Sequence, residues 1–382
     1  MTTLEILDRL IAFDTVSAKS NLGIIAYIED FLTIRGFRVT RVPSPCRQKA
    51  GLFAAIGPEG PGVMLSAHTD VVPVEGQVWT RDPFRLTQVG DRYYGRGTTD
   101  MKGYLAAMLS AADRASRMDL AEPLKLAISY DEEVGCVGIR QMLDALEPAI
   151  GLPRAAFVGE PTEMQVAVGH KGKAALRATC YGQAGHSALA PMFVNALHLA
   201  GDFSAGLRRL QADLAANGRR DEAYGVPYST VHIGTIHGGT ALNIVPDKAE
   251  MVFEYRHLAS DPAGMIEARI RQAAETAAEP FREQYPDARI EVEQYNAYPG
   301  LDVAEGAPVV VLAQKLAQTN STTKVAFGTE AGYFAGIGIP TVVCGPGSME
   351  GQGHKADEYV TLAQLQACEA MLSRILGEVS QN

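Results

Sequence analysis

Along the first seventeen residues, Leu4, Leu7, Leu10 and Ile11 recur at helical spacing, with Asp8 and Arg9 between them. This period predicts an amphipathic helix packed on a core. It does not suit a secretory leader, which needs a basic start and an apolar centre. A helix is expected over 21–35, closed by Gly36, followed by a strand over 37–42. Short apolar runs at 52–56 and 63–67 read as strands, separated by the turn-forming Gly and Pro residues of 57–62. An alanine-rich helix over 103–117 and buried strands over 124–130 and 155–158 continue the alternation. Strands alternating with helices predict an α/β architecture, a sheet covered by helices on both faces.

The pattern changes near residue 172. Strand-like alternation over 173–181 is followed by a long helix over 191–216, strands over 229–236 and 249–257, a helix over 262–279 and a strand over 289–294. The order β-α-β-β-α-β is that of a ferredoxin-like sandwich. Residues 172–296 are therefore expected to form an inserted α+β domain of ordinary size. Residues 1–171 and 297–382 would be the two parts of the larger α/β domain. The second part carries a helix over 307–318, a strand over 341–344 and a closing helix over 361–377.

Composition narrows the function classes. The 382 residues are 47% hydrophobic and 20% charged, which suits packed domains and excludes wholesale disorder. The net charge of −10 leaves no basic excess for a nucleic-acid partner. No apolar run approaches the roughly 18 residues of a membrane span. The five cysteines (Cys46, Cys136, Cys180, Cys344 and Cys368) include no Cys-x-x-Cys pair. They are expected to be buried free thiols in a reducing compartment, which points to the cytoplasm.

The polar residues of interest fall where strands are expected to end, the side on which open α/β sheets bind ligands. The run 63–67 delivers His68 and then Asp70; 124–130 delivers Asp131, Glu132 and Glu133; 155–158 delivers Glu160. Asp100 lies in the loop before the alanine-rich helix, and His354 in a late glycine-containing loop. Two imidazoles and several carboxylates suit a divalent zinc, cobalt or manganese ion. Asp70 has the spacing to hydrogen-bond the second ring nitrogen of His68. Each residue also has a plainer reading. His68 and His354 would serve as structural or surface histidines, Asp100 as a helix cap, and Glu132, Glu133 and Glu160 as solvated loop acids. Spacing alone leaves both readings open.

Five ordered segments carry a resemblance. They are Ser66-Ala67-His68-Thr69-Asp70, Gly95-Arg96-Gly97-Thr98-Thr99-Asp100-Met101-Lys102-Gly103, Asp131-Glu132-Glu133-Val134-Gly135, Gly159-Glu160-Pro161-Thr162 and Gly353-His354-Lys355-Ala356-Asp357-Glu358. Together they resemble metallopeptidase family M20 over essentially the whole chain. The resemblance implies a mixed-sheet α/β/α catalytic domain of zinc-peptidase type with an inserted lid and dimerisation domain. It implies two divalent ions, zinc first, with cobalt or manganese as alternatives. His68 and Glu160 would hold one ion, Glu133 and His354 the other, with Asp100 between them. Glu132 would be the general base, and His186, in Gly185-His186-Ser187, a lid histidine reaching the other subunit of a homodimer. Asn243 and Arg256 resemble lid residues that bind the substrate amide and carboxylate. Phe327-Gly328-Thr329-Glu330-Ala331 and Cys344-Gly345-Pro346-Gly347-Ser348 look like the acetylornithine deacetylase subgroup, with Glu330 placed to meet a substrate ammonium. Gly353 and Ala356 depart from the usual motif around His354.

The expected activity is removal of acetyl from an N-acetylated amino acid, acetylornithine in the first place, as a step of arginine biosynthesis. A desuccinylase, a dipeptidase or an aminoacylase of the same family is the nearest alternative. A metal-free binding protein is the remote one. A dinucleotide-binding oxidoreductase fails because Asp100 stands where Gly95-x-Gly97 would need its third glycine.

Overall fold

The computed structural model describes residues 1–380. Two compact units emerge, one comprising Met1–Gly169, Val303–Val325 and Thr329 onward, the other His170–Asp302 with Ala326–Gly328.

The larger unit is built on a central mixed sheet. Its order is Arg38–Pro43, Ala50–Ile56, Leu124–Ser129, Val63–His68, Ala155–Pro161, Thr341–Gly345 and Val166–His170, with Thr322–Val325 pairing on the last. Leu124–Ser129, Val63–His68, Ala155–Pro161 and Thr341–Gly345 run parallel. Nearly every residue of these four is buried, as the centre of a sheet covered on both faces requires. Each fully buried Val, Leu, Ile, Phe or Met side chain among them is worth about 1.5–3 kcal/mol.

The N-terminal helix Thr3–Ile11 forms as its spacing predicts. Thr2 and Glu5 close a reciprocal capping box, and Ile6, Leu7, Leu10 and Ile11 are buried. Helix Lys102–Ala115 is buried along almost its whole length, which its small alanines allow. Gly103 is required there, since a Cβ would stand 2.3 Å from the Thr98 carbonyl oxygen. A small sheet of Tyr359–Thr361, Arg92–Tyr94 and Thr87–Val89 joins the chain's late loop to the segment before Asp100.

The smaller unit has a four-stranded antiparallel sheet in the order Thr230–Gly238, Lys248–His257, Gly172–Tyr181, Arg289–Tyr298. Helices Ala196–Asn217 and Ala263–Ala278 cover it with a core that includes Leu176, Phe203, Phe253 and Ile270. Phe203 meets Phe253 edge-on at 5.6 Å.

Two expectations need correction. The helix expected from residue 191 starts at Ala196, where Asn195 caps it by accepting from the Leu197 amide at 2.8 Å. Pro191 belongs instead to a separate 3-10 turn, Ser187–Met192. Of the five cysteines, Cys46 is exposed, in the loop where its Sγ lies 3.4 Å from the Ser44 hydroxyl; the other four are buried and all are free. Among the described residues no helix is long and apolar enough to cross a membrane.

Candidate metal centre

The parallel register explains why residues far apart in sequence meet. His68 pairs with Ser129 across neighbouring strands, and Ser66 with Val158. His68, the Asp131-Glu132-Glu133 turn and Glu160 therefore leave the sheet at one edge. Asp100 arrives from the loop before helix Lys102–Ala115, and His354 from the loop before Tyr359–Thr361.

The ligand-type atoms form two groups sharing Asp100. His68, Asp100 and Glu160 form one, and Asp100, Glu133 and His354 the other, the atoms of each lying within 4.8 Å of one another. His68 Nε2 is 3.1 Å from Asp100 Oδ1 and 3.7 Å from Glu160 Oε1. His354 Nε2 is 3.1 Å from Asp100 Oδ2 and 3.0 Å from Glu133 Oε2. Asp100 thus turns one oxygen to each group.

The electrostatics of this cluster call for cations. Burial and the neighbouring acids push the Glu160 carboxyl well above its usual range, and the same causes push Glu133 up to about 7. Burial raises Glu132 too, with Glu133 and Asp100 adding to it against the pull of His68. Burial opposes the charged form of His354, yet its contacts with Asp100 and Glu133 outweigh that and raise it to about 10. Glu133 Oε1 and Glu160 Oε1 are buried without a hydrogen-bond partner. Unpaired buried carboxylate oxygens beside two imidazoles are costly. A divalent ion in each group would satisfy them, so the donor set fits the metals that the sequence suggests.

Asp70 ties the site's loops together. Its Oδ2 accepts from the Ser17 hydroxyl at 2.7 Å and from the Glu133 amide at 3.3 Å; its Oδ1 accepts from the Glu132 amide at 3.1 Å. The expected contact with His68 takes a modified form. His68 Nδ1 lies 3.0 Å from the Asp70 backbone carbonyl and 3.5 Å from its carboxylate. In the neutral imidazole, donation from Nδ1 to that carbonyl leaves Nε2 bare and facing Asp100, the tautomer a metal ligand needs. Glu132 Oε1 accepts from the Cys136 thiol at 3.2 Å, a contact with no sequence signal. Lys49 pairs with Asp131 and holds the base of the acidic turn, another contact the sequence does not announce.

Glu330 is 1% exposed and immediately precedes the short helix Ala331–Gly336, with no capping hydrogen bond from its side chain. Its Oε2 is 3.5 Å from the Ser66 hydroxyl, its Oε1 is unpartnered, and burial raises it to about 7. It is a buried acid, not a solvent-facing one.

In the smaller unit, His186 and Asn243 come together. The short pair Gly185–His186 and Ile244–Val245 sets His186 opposite Ile244, and the Ser187 amide donates to the Asn243 carbonyl at 3.1 Å. Both side chains are exposed. His186 Nδ1 accepts from the Ala188 amide at 3.1 Å, which leaves the ring proton on Nε2. Arg256 stands apart from them, near the far end of Lys248–His257, with its Nε donating to Glu254 at 2.9 Å.

The family model for peptidase family M20/M25/M40 matches residues 64–378. The acetylornithine deacetylases of Salmonella arizonae and Salmonella paratyphi B are each 32% identical over 380 residues, 98% of this chain and 96% of theirs. The aminopeptidase PepT from Bacillus cereus shares the fold at a TM-score of 0.79 and 21% identity, over 99% of this chain and 98% of that one. The Bacillus subtilis YXEP protein, a dinuclear metal-binding peptidase, aligns at a TM-score of 0.70 and 17% identity over 100% and 98%. With five motifs gathered around one acidic centre and a family match over most of its length, the chain belongs to the M20 family of hydrolases.

Proposed function

We propose that the chain is a dinuclear metal-dependent deacetylase that cleaves N2-acetyl-L-ornithine to L-ornithine and acetate. The observation that carries this reading is Asp100, with one oxygen 3.1 Å from each of two histidines in separate ligand groups. The near-complete alignment with acetylornithine deacetylases supports the substrate.

His68 and Glu160 would hold one divalent ion, Glu133 and His354 the other, and Asp100 both. Zinc suits this donor set, as do cobalt and manganese. When bound, such ions polarise an amide carbonyl and lower the pKa of water. Glu132 takes the proton of the attacking water and delivers it to the departing nitrogen. Its carboxylate is oriented by the Cys136 thiol and its backbone by Asp70. Asp70 also fixes the ring of His68 through the Nδ1 contact.

The smaller unit is read as a ferredoxin-like lid and dimerisation domain, a reading supported by its strand order. His186, with its Nε2 proton free, donates to the developing oxyanion of the partner's site. Asn243 and Arg256 bind the substrate amide and carboxylate; a guanidinium suits both carboxylate oxygens. The partners are thus a small N-acetylated amino acid and a second copy of the chain, in the cytoplasm and in arginine biosynthesis.

A kinetic panel tests the assignment. The zinc-loaded protein should give its highest kcat/KM on N-acetyl-L-ornithine. A higher value on N-succinyl-diaminopimelate or on a dipeptide would replace the deacetylase reading with a desuccinylase or peptidase.

A further inference from the structure

The loops carrying Asp100 and His354 share a buried ion pair that the chemistry above does not use. Arg96 Nη1 lies 2.6 Å from Glu358 Oε2, and both side chains are buried. The small sheet brings them together. Tyr359 pairs with Tyr94, and the Gly95 amide donates to the Glu358 carbonyl at 2.9 Å.

Each end of the pair reaches a candidate ligand. Glu358 Oε1 accepts from the Thr99 amide at 2.9 Å and the Asp100 amide at 3.1 Å. Arg96 Nη2 donates to Gln77 Oε1 at 2.6 Å and Nη1 to the Lys355 carbonyl at 3.3 Å. Gln77 Nε2 in turn donates to the carbonyl of His354 itself at 3.0 Å. His354 has φ of +58°, a left-handed conformation that its surroundings must impose.

A buried pair is weak evidence for stability, because desolvation offsets the attraction. Here the free carboxylate oxygen of Glu358 and both Nη atoms of Arg96 are taken up by neighbouring loop groups, and only Arg96 Nε is buried without a hydrogen-bond partner. We propose that Arg96 and Glu358 are positioning residues that preset Asp100 and His354 for metal, with Gln77 as the arm to His354. This rests on the dimetal reading above. The arms differ in reach: Glu358 holds the amide of the shared Asp100 directly, whereas Gln77 holds the His354 carbonyl and meets the Asp100 loop only through Arg96.

Chelator-stripped wild type, Glu358→Gln and Gln77→Ala would be titrated with Zn2+ against a chromophoric chelator, with thermal unfolding as the folding control. Wild type should take up two ions. Gln77→Ala should bind the first ion normally and the second roughly three- to tenfold more weakly, the scale of one neutral hydrogen bond. Glu358→Gln should weaken both, by roughly 10–100-fold. Wild-type affinity for both ions in Gln77→Ala and in folded Glu358→Gln overturns the proposal while leaving the dimetal reading intact. If Glu358→Gln does not fold, unchanged affinities in Gln77→Ala alone overturn it. Failure of wild type itself to take up zinc removes both readings.

Discussion

The thiol of Cys136 lies 3.2 Å from Oε1 of Glu132, four residues earlier and across a tight turn. That turn is closed by the amides of Gly135 and Cys136, which both donate to the Glu132 carbonyl at 2.8 Å. Burial and the nearby carboxylate keep the thiol protonated, so it donates. Cys136→Ala should lower kcat by roughly threefold to tenfold with KM little changed, as expected for one lost hydrogen bond to the base. Cys136→Ser should keep most of the activity. In a Glu132→Gln background, Cys136→Ala should have no further effect; an additive loss would show that the thiol acts elsewhere.

Glu330 carries an unpartnered buried oxygen close enough to His68 and Asp70 to feel their charges. If that oxygen meets the ornithine ammonium, Glu330→Gln should penalise acetylornithine more than acetylmethionine, by tenfold or more on the scale of an unpaired buried charge. Equal losses on the two substrates would assign Glu330 to structure alone.

His186 gives a test of assembly. A His186→Ala chain and a Glu132→Gln chain should each be nearly inactive. After subunit exchange, a heterodimer holds one site with both lesions and one with neither, so activity should return. No recovery, with exchange verified by mass, would place His186 in its own chain's chemistry or in none.

Much of this site was legible because strand ends and motif spacing are local. The apolar runs before His68 and Asp131 end within two residues of the strand ends, whereas strand Ala155–Pro161 runs on past Glu160. Helix Val137–Ile150 was not legible. It begins after Cys136 in a left-handed conformation and contains Gly138, which reads as a breaker. Gly138 is there because a Cβ would stand 1.9 Å from the Tyr130 carbonyl oxygen. Pro191 suggested a helix start that Asn195 provides instead. The contacts that orient the site are long-range, such as Arg96 with Glu358, 262 residues apart, and no periodicity encodes them.

Asp113 gives a stability prediction independent of the centre. It accepts from Arg35 Nε at 2.5 Å, from Arg117 and from the N-terminal ammonium at 3.3 Å. Burial opposes its charge, but these partners, Arg35 first, lower it to about 2 from 3.8. A depressed carboxyl stabilises fully above its unfolded pKa and stops doing so as pH falls through the folded one. Asp113→Asn should therefore cost about 1–2 kcal/mol at neutral pH, allowing for solvent screening. The gap to wild type should close as pH falls from about 4 to about 2. Urea unfolding of the metal-stripped proteins measures it; a constant gap would show that the charge is not the cause.

The central claim separates two adjacent carboxylates, Glu132 as base and Glu133 as ligand. The most direct measurement is ornithine release from acetylornithine by the zinc-saturated Glu132→Gln protein, with metal content determined on the same sample. About two ions per chain and turnover reduced by roughly 10²–10⁴-fold are predicted. Two bound ions with near-wild-type turnover would contradict it.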